Sequence, residues 1–155
     1  MEIRRAKCED LQGIASLLFQ VHKVHSDKRP DIFRRGSRKY TDEQIKSIIK
    51  EDKTPVYVAV SGEKVLGYAF CIIEETKGDS SLEDMRTLYI DDICVDESER
   101  GKHIGSSIYE YVKEQARELG CYHITLNVWC LNSSAMRFYE KCGLVPLKVV
   151  MEDKL

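Results

Sequence analysis

At 155 residues the chain has room for one domain, over residues 1–155, and a domain of this size buries roughly 68–70% of the surface that its unfolded chain exposes. Its 43% hydrophobic and 32% charged residues are ordinary for a globular protein, and its net charge of −2 argues against nucleic acid as the main partner. No apolar run approaches the roughly 20 residues that span a bilayer, and the N-terminus lacks the apolar core of a signal peptide, so the composition predicts a cytoplasmic protein without a membrane partner.

Six cysteines are spread along the chain. They form no CxxC pair, have no histidine partner at metal-ligand spacing, and mostly fall in apolar segments. In a reducing compartment such residues behave as small buried side chains, so the pattern predicts neither disulfides nor a metal site. The six are Cys8, Cys71, Cys94, Cys121, Cys130 and Cys142.

The N-terminal part of the chain predicts one strand and two helices. Residues 2–6 form a short strand, and apolar residues at helical spacing over 9–25 predict the first helix. Thr41 and Gln44 match a capping box, in which each residue satisfies a backbone amide of the other. A second, short helix is therefore predicted to begin there.

Two segments that follow predict an antiparallel hairpin. Residues 56–60 and 65–73 are apolar and rich in β-branched side chains, and a short polar turn with a glycine joins them. Gly67 lies inside the second strand. A glycine at such a place predicts a bulge or a site where another part of the chain packs closely.

The central strand, over residues 88–95, carries two carboxylates in an otherwise apolar run. Because side chains of a strand alternate between faces, Asp91 and Asp92 are predicted to point to opposite faces of the sheet. At least one of them then lines a pocket or a sheet face. The acidic residues of the preceding loop, 74–84, are typical of a solvated surface.

The C-terminal part predicts two helices and two or three strands around a mixed sheet. A helix over 104–119 is followed by Gly120, which suits a helix end. A strand over 122–129, a helix over 133–142 and one or two final strands over 145–152 complete the chain. The inner face of the first of these helices is predicted to carry Ile108, Tyr111, Val112, Ala116 and Leu119.

The turn between the central strand and the long helix has the sequence Arg-Gly-Lys-His-Ile-Gly, residues 100–105. A helix N-terminus presents unpaired backbone N–H groups and a positive dipole end, which together favour a phosphate. Gly101 and Gly105 let a bulky diphosphate approach the main chain without meeting a Cβ atom. The functional interpretation is a phosphate site. The alternative is a plain connection whose glycines only make the turn.

Two segments resemble the GCN5-related N-acetyltransferase family. Residues 100–106 resemble its Arg/Gln-x-x-Gly-x-Gly signature, with His103 where the signature has glycine; either the backbone there suits any residue, or histidine adopts the left-handed region at a small cost. Residues 132–143 resemble its Asn-x-x-Ala-x-x-Phe-Tyr-x-x-x-Gly segment. The resemblance implies the family's α/β fold, a mixed and mostly antiparallel sheet that splays between strands 4 and 5, with about four flanking helices.

The resemblance also implies acetyl-CoA as the acetyl donor, without a metal. In the family the helix-tip amides hold the diphosphate, and the splayed edge of the central strand pairs with the pantetheine arm. An amide of that strand would face the thioester oxygen and stabilise its negative charge. The matching positions for donor binding are Ile93, Cys94, Val95, Arg100, Gly101, Lys102, His103, Ile104, Gly105, Ser106 and Asn132.

Acetyl transfer needs a neutral amine and a proton for the departing thiolate. By resemblance Tyr139 is the general acid, although its place on an amphipathic helix alone predicts a core aromatic residue. Asp91 and Asp92 are the candidates for taking the proton of the amine. Asp91 is favoured, because polyamine-acetylating members carry an acidic residue at the matching position, and Glu97 is a weaker candidate.

The basic, irregular segment over residues 26–40 predicts either a lid over the acceptor or a solvated connector. By resemblance this segment shapes the acceptor pocket, with Phe33 and Tyr40 as candidate walls. The predicted function is transfer to a small cationic, polyamine-like amine. Alternatives are acetylation of a protein N-terminus or lysine, and a non-catalytic acyl-CoA-binding module. The final strands are available for pairing in a homodimer, as in many members of the family.

Overall fold

A five-stranded sheet with the order β1-β2-β3-β4-β5 forms the centre of the molecule in a computed structural model that describes residues 1–155. Neighbouring strands from β1 to β4 are antiparallel, whereas β5 runs parallel to β4. The mixed, mostly antiparallel sheet predicted from the sequence is therefore confirmed. The strands are β1 Glu2–Arg5, β2 Val56–Ser61, β3 Lys64–Thr76, β4 Met85–Val95 and β5 His123–Leu126.

Four α-helices flank the sheet, and none of them combines the length and apolarity needed to cross a bilayer. The predicted capping box is present: the Gln44 amide donates to Thr41 Oγ1 over 3.2 Å, and the Thr41 amide donates to Gln44 Oε1 over 2.9 Å. The first helix begins after a 3₁₀ turn over Cys8–Asp10 and continues about one turn beyond the predicted residue 25. The helices are α1 Leu11–Lys28, α2 Asp42–Lys50, α3 Ile104–Glu118 and α4 Ser133–Lys141.

The core consists of two apolar layers, one on each face of the sheet. On one face α1 and α2 bury Ile14, Leu18 and Ile45 against the strands. On the other face α3 buries Ile108 and Val112, and α4 packs beside it. Each fully buried aliphatic side chain of this kind contributes about 1.5–3 kcal/mol. The two layers hold β4 from both sides, so its position is fixed tightly.

The inner face of α3 differs from the prediction at two positions. Tyr109 is buried at 5% exposure, whereas Tyr111 is half-buried and meets the ring of Tyr57 at the edge of the layer, with 5.4 Å between centroids. Leu119 is 37% exposed, because α3 ends at Glu118 and Leu119 already belongs to the turn that follows. Ile108, Val112 and Ala116 are buried as predicted, and Ile104 extends the same stripe by one turn toward the start of the helix.

Gly67 is a site of close packing, as predicted. A Cβ atom at this position would lie 2.8 Å from the carbonyl oxygen of Cys94 and 2.8 Å from Cδ1 of Ile108. The pairing of β2 with β3 also shifts register opposite this residue, between Ala59 and Val60. Glycine here lets β3, β4 and α3 approach one another, which places the start of α3 directly over the end of β4.

The C-terminal segment is not the strand or pair of strands predicted over 145–152. Val145, Leu147 and Val149 are 82%, 72% and 73% exposed, and the segment pairs with no strand. High β-propensity alone does not form a strand without a partner to pair with. The segment is instead tied to the loop after α1, where Arg29 donates to Glu152 over 2.8 Å. The predicted strand over 122–129 is likewise shortened to β5, His123–Leu126.

The six cysteines are all free thiols, but they are not uniformly buried. Cys71 and Cys94 lie in the core, whereas Cys8 and Cys130 are exposed. The prediction of burial is wrong for these two because they lie in turns that lead into helices and not within strands.

Candidate active site

A cleft opens where β4 and β5 separate. Their parallel pairing runs from Thr87 opposite His123 to Ile90 opposite Leu126, and β5 ends there. The central strand continues to Val95 with β3 as its only neighbour. The predicted splay between strands 4 and 5 is therefore confirmed, and it leaves residues 91–95 with a free edge.

The free edge of β4 presents the backbone groups of alternate residues. The Asp96 amide donates to the carbonyl of Leu66 on β3 over 2.9 Å. Because backbone groups alternate along an antiparallel strand, the N–H and C=O groups of Cys94 also face β3, and those of Ile93 and Val95 face the cleft. Of the three positions predicted to pair with a donor arm, Ile93 and Val95 present free main-chain groups, whereas the thiol of Cys94 is buried in the core.

A β-bulge in β4 places the two central carboxylates on the same face of the sheet. Phe70 on β3 pairs with Asp92, but its neighbour Cys71 pairs with Ile90, so Asp91 is an extra residue without a partner. The prediction that Asp91 and Asp92 point to opposite faces is wrong for this reason. Their hydroxyl partners, described next, both pack against the ring of Phe70.

Asp91 is held by a lysine and a tyrosine from the segment before α2. Lys39 Nζ donates to Asp91 Oδ1 over 2.7 Å and to its main-chain carbonyl over 3.1 Å. The hydroxyl of Tyr40 donates to the other carboxylate oxygen. Burial and the hydrogen bond to Asp91 raise the pKa of Tyr40 well above its usual value, so this hydroxyl keeps its proton. Both oxygens of Asp91 are occupied.

Asp92 has one protein partner and a perturbed acidity. The hydroxyl of Tyr68, which is itself fully buried, donates to Asp92 Oδ2 over 2.9 Å. Burial raises the pKa of Asp92 to about 6, an effect that the Tyr68 hydrogen bond and the charge of Lys39 oppose and the charge of Asp91 reinforces. A carboxylate with a pKa in this range can accept and release a proton near neutral pH.

The turn between β4 and α3 presents a row of unpaired amides. Asp96 stabilises its first part, where its carboxylate accepts from the Ser98 amide over 2.9 Å. The amides from Gly101 to Ser106 donate to no acceptor within the protein. Gly101 has φ of +80°, and His103 has φ of +61°, the sole left-handed residue that is not glycine. The second of the two alternatives for His103 is thus correct, and its conformation directs consecutive amides outward ahead of α3.

Cationic side chains surround this turn. Arg100 is exposed and takes part in no ion pair, whereas Lys102 donates to Glu99 over 2.7 Å. Lys102 and Lys64 together lower the pKa of Glu99 to about 2. Gly105 serves packing as well, because a Cβ atom there would lie 3.3 Å from the ring of Phe138 on α4. Amides, dipole and cations together suit a diphosphate.

The helix α4 brings Asn132 and Tyr139 to the same region. Asn132 Oδ1 caps α4, where it accepts from the Ala135 amide over 3.4 Å. The hydroxyl of Tyr139 makes no hydrogen bond to the protein. Burial, reinforced by the charge of Asp92, raises the pKa of Tyr139 well above its usual value. Tyr139 is therefore a protonated donor that lies within electrostatic reach of Asp92.

The two predicted pocket walls have different surroundings. Tyr40 lies at the carboxylates, as described. The ring of Phe33 stacks on His25 and meets Trp129 edge-on, each with 5.2 Å between centroids, so it joins α1 to the connection between β5 and α4.

Lys39 and Tyr68 are the site residues that the sequence analysis missed. A lysine in a basic run and a tyrosine in an apolar strand carry no local signal of their partners.

A cleft with outward amides at a helix tip, a free strand edge and a buried carboxylate is the site of an acyltransferase. The model of the acetyltransferase (GNAT) family matches residues 18–144, so the chain belongs to this family. The protein is accordingly an N-acetyltransferase, and acetyl-CoA is the donor that the family uses in general. The unpaired amides from Gly101 to Ser106 fit this donor.

Known relatives agree with the family assignment. The chain is 27% identical to glucosamine 6-phosphate N-acetyltransferase of Arabidopsis thaliana over 146 residues, which cover 92% of this chain and 89% of that protein. It is 40% identical to thialysine N-epsilon-acetyltransferase of Bos taurus over 58 residues, 37% of this chain and 34% of that protein. The crystal structure of a mutant BH1408 protein of Bacillus halodurans superposes with a TM-score of 0.96 at 32% identity, covering 100% of this chain and 99% of that one.

Proposed function

We propose that the protein transfers an acetyl group from acetyl-CoA to a primary amine of a small cationic, polyamine-like acceptor, by direct attack and without a covalent enzyme intermediate. The observation that carries this proposal is the placement of two features side by side. The unpaired amides from Gly101 to Ser106 lie at the end of the free β4 edge, and the carboxylates of Asp91 and Asp92 lie on the same strand.

The main chain binds the donor. The amides from Gly101 to Ser106 hold its diphosphate, and Arg100 and Lys102 add positive charge. The free backbone groups of Ile93 and Val95 pair with the amides of the pantetheine arm, and Asn132 borders the same arm from α4. The donor supplies an acetyl group activated as a thioester. An amide of the β4 edge stabilises negative charge on the carbonyl oxygen of that group.

Asp92 takes the proton of the acceptor amine, directly or through a water molecule. An alkylamine with a pKa of 10.4 is neutral in only about one molecule in 2,500 at pH 7, so a proton acceptor is needed. The structure favours Asp92 over Asp91, because Asp91 already accepts from Lys39 and Tyr40 at both carboxylate oxygens. Asp92 keeps lone pairs beyond its single bond to Tyr68, and its pKa of about 6 suits the task.

Tyr139 donates the proton that the departing sulfur needs. Its hydroxyl has no protein partner to compete for that proton, and its raised pKa keeps it protonated at neutral pH. A cysteine nucleophile in place of direct attack is disfavoured. Burial raises the pKa of Cys94 to about 12, and its thiol points to the carbonyl of Leu17 in the core, over 3.7 Å.

The charge of the carboxylates favours a cationic acceptor, but one observation supports a second candidate. Arg34 and Arg35 are exposed on the loop after α1 and take part in no ion pair, so they are available for an anionic group. The Arabidopsis relative acts on glucosamine 6-phosphate, an amine that carries a phosphate. An amino-sugar phosphate is therefore the second candidate acceptor. A protein lysine or N-terminus has no such observation in its favour.

The experiment is a titration with acetyl-CoA followed by an acceptor panel. Acetyl-CoA is expected to raise the melting temperature of the protein, and diamines or polyamines are expected to release free thiol faster than glucosamine 6-phosphate or lysine peptides. Faster thiol release with glucosamine 6-phosphate selects the second candidate. Binding of acetyl-CoA without thiol release on any amine would overturn the proposal in favour of a non-catalytic acyl-CoA-binding module.

A further inference from the structure

The side-chain ammonium group of Lys39 is bound to Asp91, next to the candidate proton acceptor Asp92. Lys39 Nζ lies 2.7 Å from Asp91 Oδ1 and 3.1 Å from the main-chain carbonyl of the same residue. It also lies 5.6 Å from the centre of the Tyr40 ring, within the range of a cation–π contact. An ammonium group has three donors and no acceptor, and this site offers two oxygens and a ring face.

The acceptors of this site are held in place independently of Lys39. Asp91 is the extra residue of the bulge, so its carbonyl has no partner residue on β3 opposite it. Tyr40 fixes the second carboxylate oxygen of Asp91, and the ring of Tyr40 packs on Phe70 with 5.3 Å between centroids. The carboxylate side chain is only 13% exposed. Removal of the lysine would leave a formed ammonium site and not a collapsed one.

The occupant is easily displaced. Lys39 lies on the segment between α1 and α2, its side chain is 41% exposed, and it has no ion pair other than the one with Asp91. A half-exposed ion pair of this kind contributes about 1 kcal/mol or less, because water and salt screen it and a long side chain loses rotamer freedom. A small ligand with its own ammonium group can replace it at low cost.

We propose that Lys39 occupies the subsite for the second ammonium group of a diamine acceptor. An acceptor with two primary amines displaces Lys39, places one ammonium group on Asp91, and presents its other amine to Asp92. This inference rests on the proposed function and deepens it, because it assigns different roles to the adjacent carboxylates. Asp91 binds and orients the acceptor, and Asp92 takes the proton.

The charge of the site explains why a diamine differs from a monoamine here. With Lys39 in place, its ammonium group cancels the charge of Asp91 and leaves one carboxylate for the acceptor. When a dication displaces Lys39, both carboxylates are neutralised by the ligand. A monoamine engages Asp92 alone and gains nothing from the subsite, so the lysine weakens binding of diamines selectively.

The test compares Lys39→Gln with two controls, Lys39→Arg and Lys23→Gln. Lys39→Gln removes the charge at similar length, Lys39→Arg retains it, and Lys23→Gln breaks an exposed ion pair to Asp27 on α1. KM is measured for 1,4-diaminobutane and for butylamine. In Lys39→Gln the KM of the diamine is expected to fall about threefold to tenfold, which corresponds to roughly 0.6–1.4 kcal/mol, with little change for butylamine. Lys23→Gln is expected to leave both values unchanged, and Lys39→Arg, which keeps a positive charge beside Asp91, is expected not to lower the KM of the diamine.

An equal change for both amines, no change, or a higher KM for the diamine would overturn the inference. The melting temperature with and without 1,4-diaminobutane gives a readout that needs no turnover. If no amine is acetylated but the diamine stabilises Lys39→Gln more than the wild type, the subsite stands and the proposed function fails. If amines are acetylated but the diamine has the same KM and the same stabilising effect with the wild type and with Lys39→Gln, the inference fails and the proposed function stands.

Discussion

In the proposed function, the two sides of the cleft recognise their ligands by different means. The donor side, at the tip of α3, uses main-chain amides whose direction is set by local backbone conformation. The acceptor side uses carboxylates, hydroxyls and a lysine drawn from β3, β4 and the segment before α2. Main-chain recognition tolerates a change of side chain if the conformation is kept, as His103 illustrates. Recognition by side chains instead depends on the identity of each carboxylate and hydroxyl.

The largest effect is expected on the acceptor side, from Asp92→Asn. An amide has no proton-accepting oxygen of comparable basicity, so kcat is expected to fall by about 10²–10⁴. The side-chain oxygen still accepts from Tyr68, so the fold is kept. In the wild type, kcat/KM is expected to fall as the pH drops through about 6, because a protonated Asp92 cannot accept a proton. A wild-type profile that is flat from pH 5 to 8 would exclude this role.

The same variant is expected to change how stability depends on pH. The pKa of Asp92 is raised in the folded protein from 3.8 to about 6, so its contribution to stability is full below pH 4 and is lost as the pH rises through 6. Relative to the wild type, Asp92→Asn should therefore be more stable at pH 7.5 than at pH 4. Urea unfolding at both pH values measures this difference. A difference independent of pH would contradict the assigned ionisation.

The next largest effect on kcat is expected from Tyr139→Phe, at a residue between the donor and acceptor sides of the cleft. Loss of the hydroxyl removes the proton donor without removing the ring, so kcat is expected to fall roughly 10- to 100-fold with the KM of the amine nearly unchanged. The matched control is Tyr122→Phe, at a residue that is 77% exposed and precedes β5, at the end of the β4–β5 pairing away from the cleft. A fall in kcat of the same size in both variants would remove Tyr139 from this role.

A smaller effect is expected on the donor side, from Gly101→Val. The left-handed backbone at Gly101 costs a β-branched residue about 1–2 kcal/mol, which corresponds to roughly a tenfold increase in KM for acetyl-CoA if the turn shifts to relieve it. Gly62→Val is a matched control, because Gly62 has φ of +58° and equally open surroundings in the turn between β2 and β3. It should lower stability and leave the KM of acetyl-CoA unchanged.

The smallest effect is expected from His103→Gly. Glycine removes a left-handed cost of about 1–2 kcal/mol, but its greater backbone entropy in the unfolded chain offsets 0.5–1 kcal/mol of that gain. We expect the free energy of unfolding to rise by less than about 1 kcal/mol and the KM of acetyl-CoA to change less than about threefold. A large loss of donor affinity would mean that the imidazole, and not the backbone, recognises the donor.

The same contrast explains how much could be predicted from the sequence. The capping box at Thr41, the helix after Gly101 and the cap at Asn132 depend on residues a few positions apart, and each is present in the structure. The turn at the donor side is likewise local. The sequence therefore predicts these local elements of the fold, including the turn and the two helix starts that border the donor side of the cleft.

The acceptor side depends on pairing that a single strand does not encode. The bulge at Asp91 is a property of two strands together, so alternation within β4 alone wrongly separated the carboxylates. The hydroxyl of Tyr68 reaches Asp92 from 24 positions away, and Lys39 reaches Asp91 from 52. The prediction of strands over residues 145–152 is wrong for a related reason, because the apolar residues there are typical of a strand but no strand lies beside them.

Because Asp91 is the extra residue of the bulge, a deletion could remove it from the acceptor side of the cleft and leave the donor side unchanged. Ile90 and Asp92 already pair with consecutive residues of β3, so deletion of Asp91 would leave a regular ladder with the same pairs on either side. The turn before α3 and Asp92 would keep their partners on β3 and in the turn. If the proposed roles hold, one three-base deletion would change which amines are accepted and leave the binding of acetyl-CoA intact.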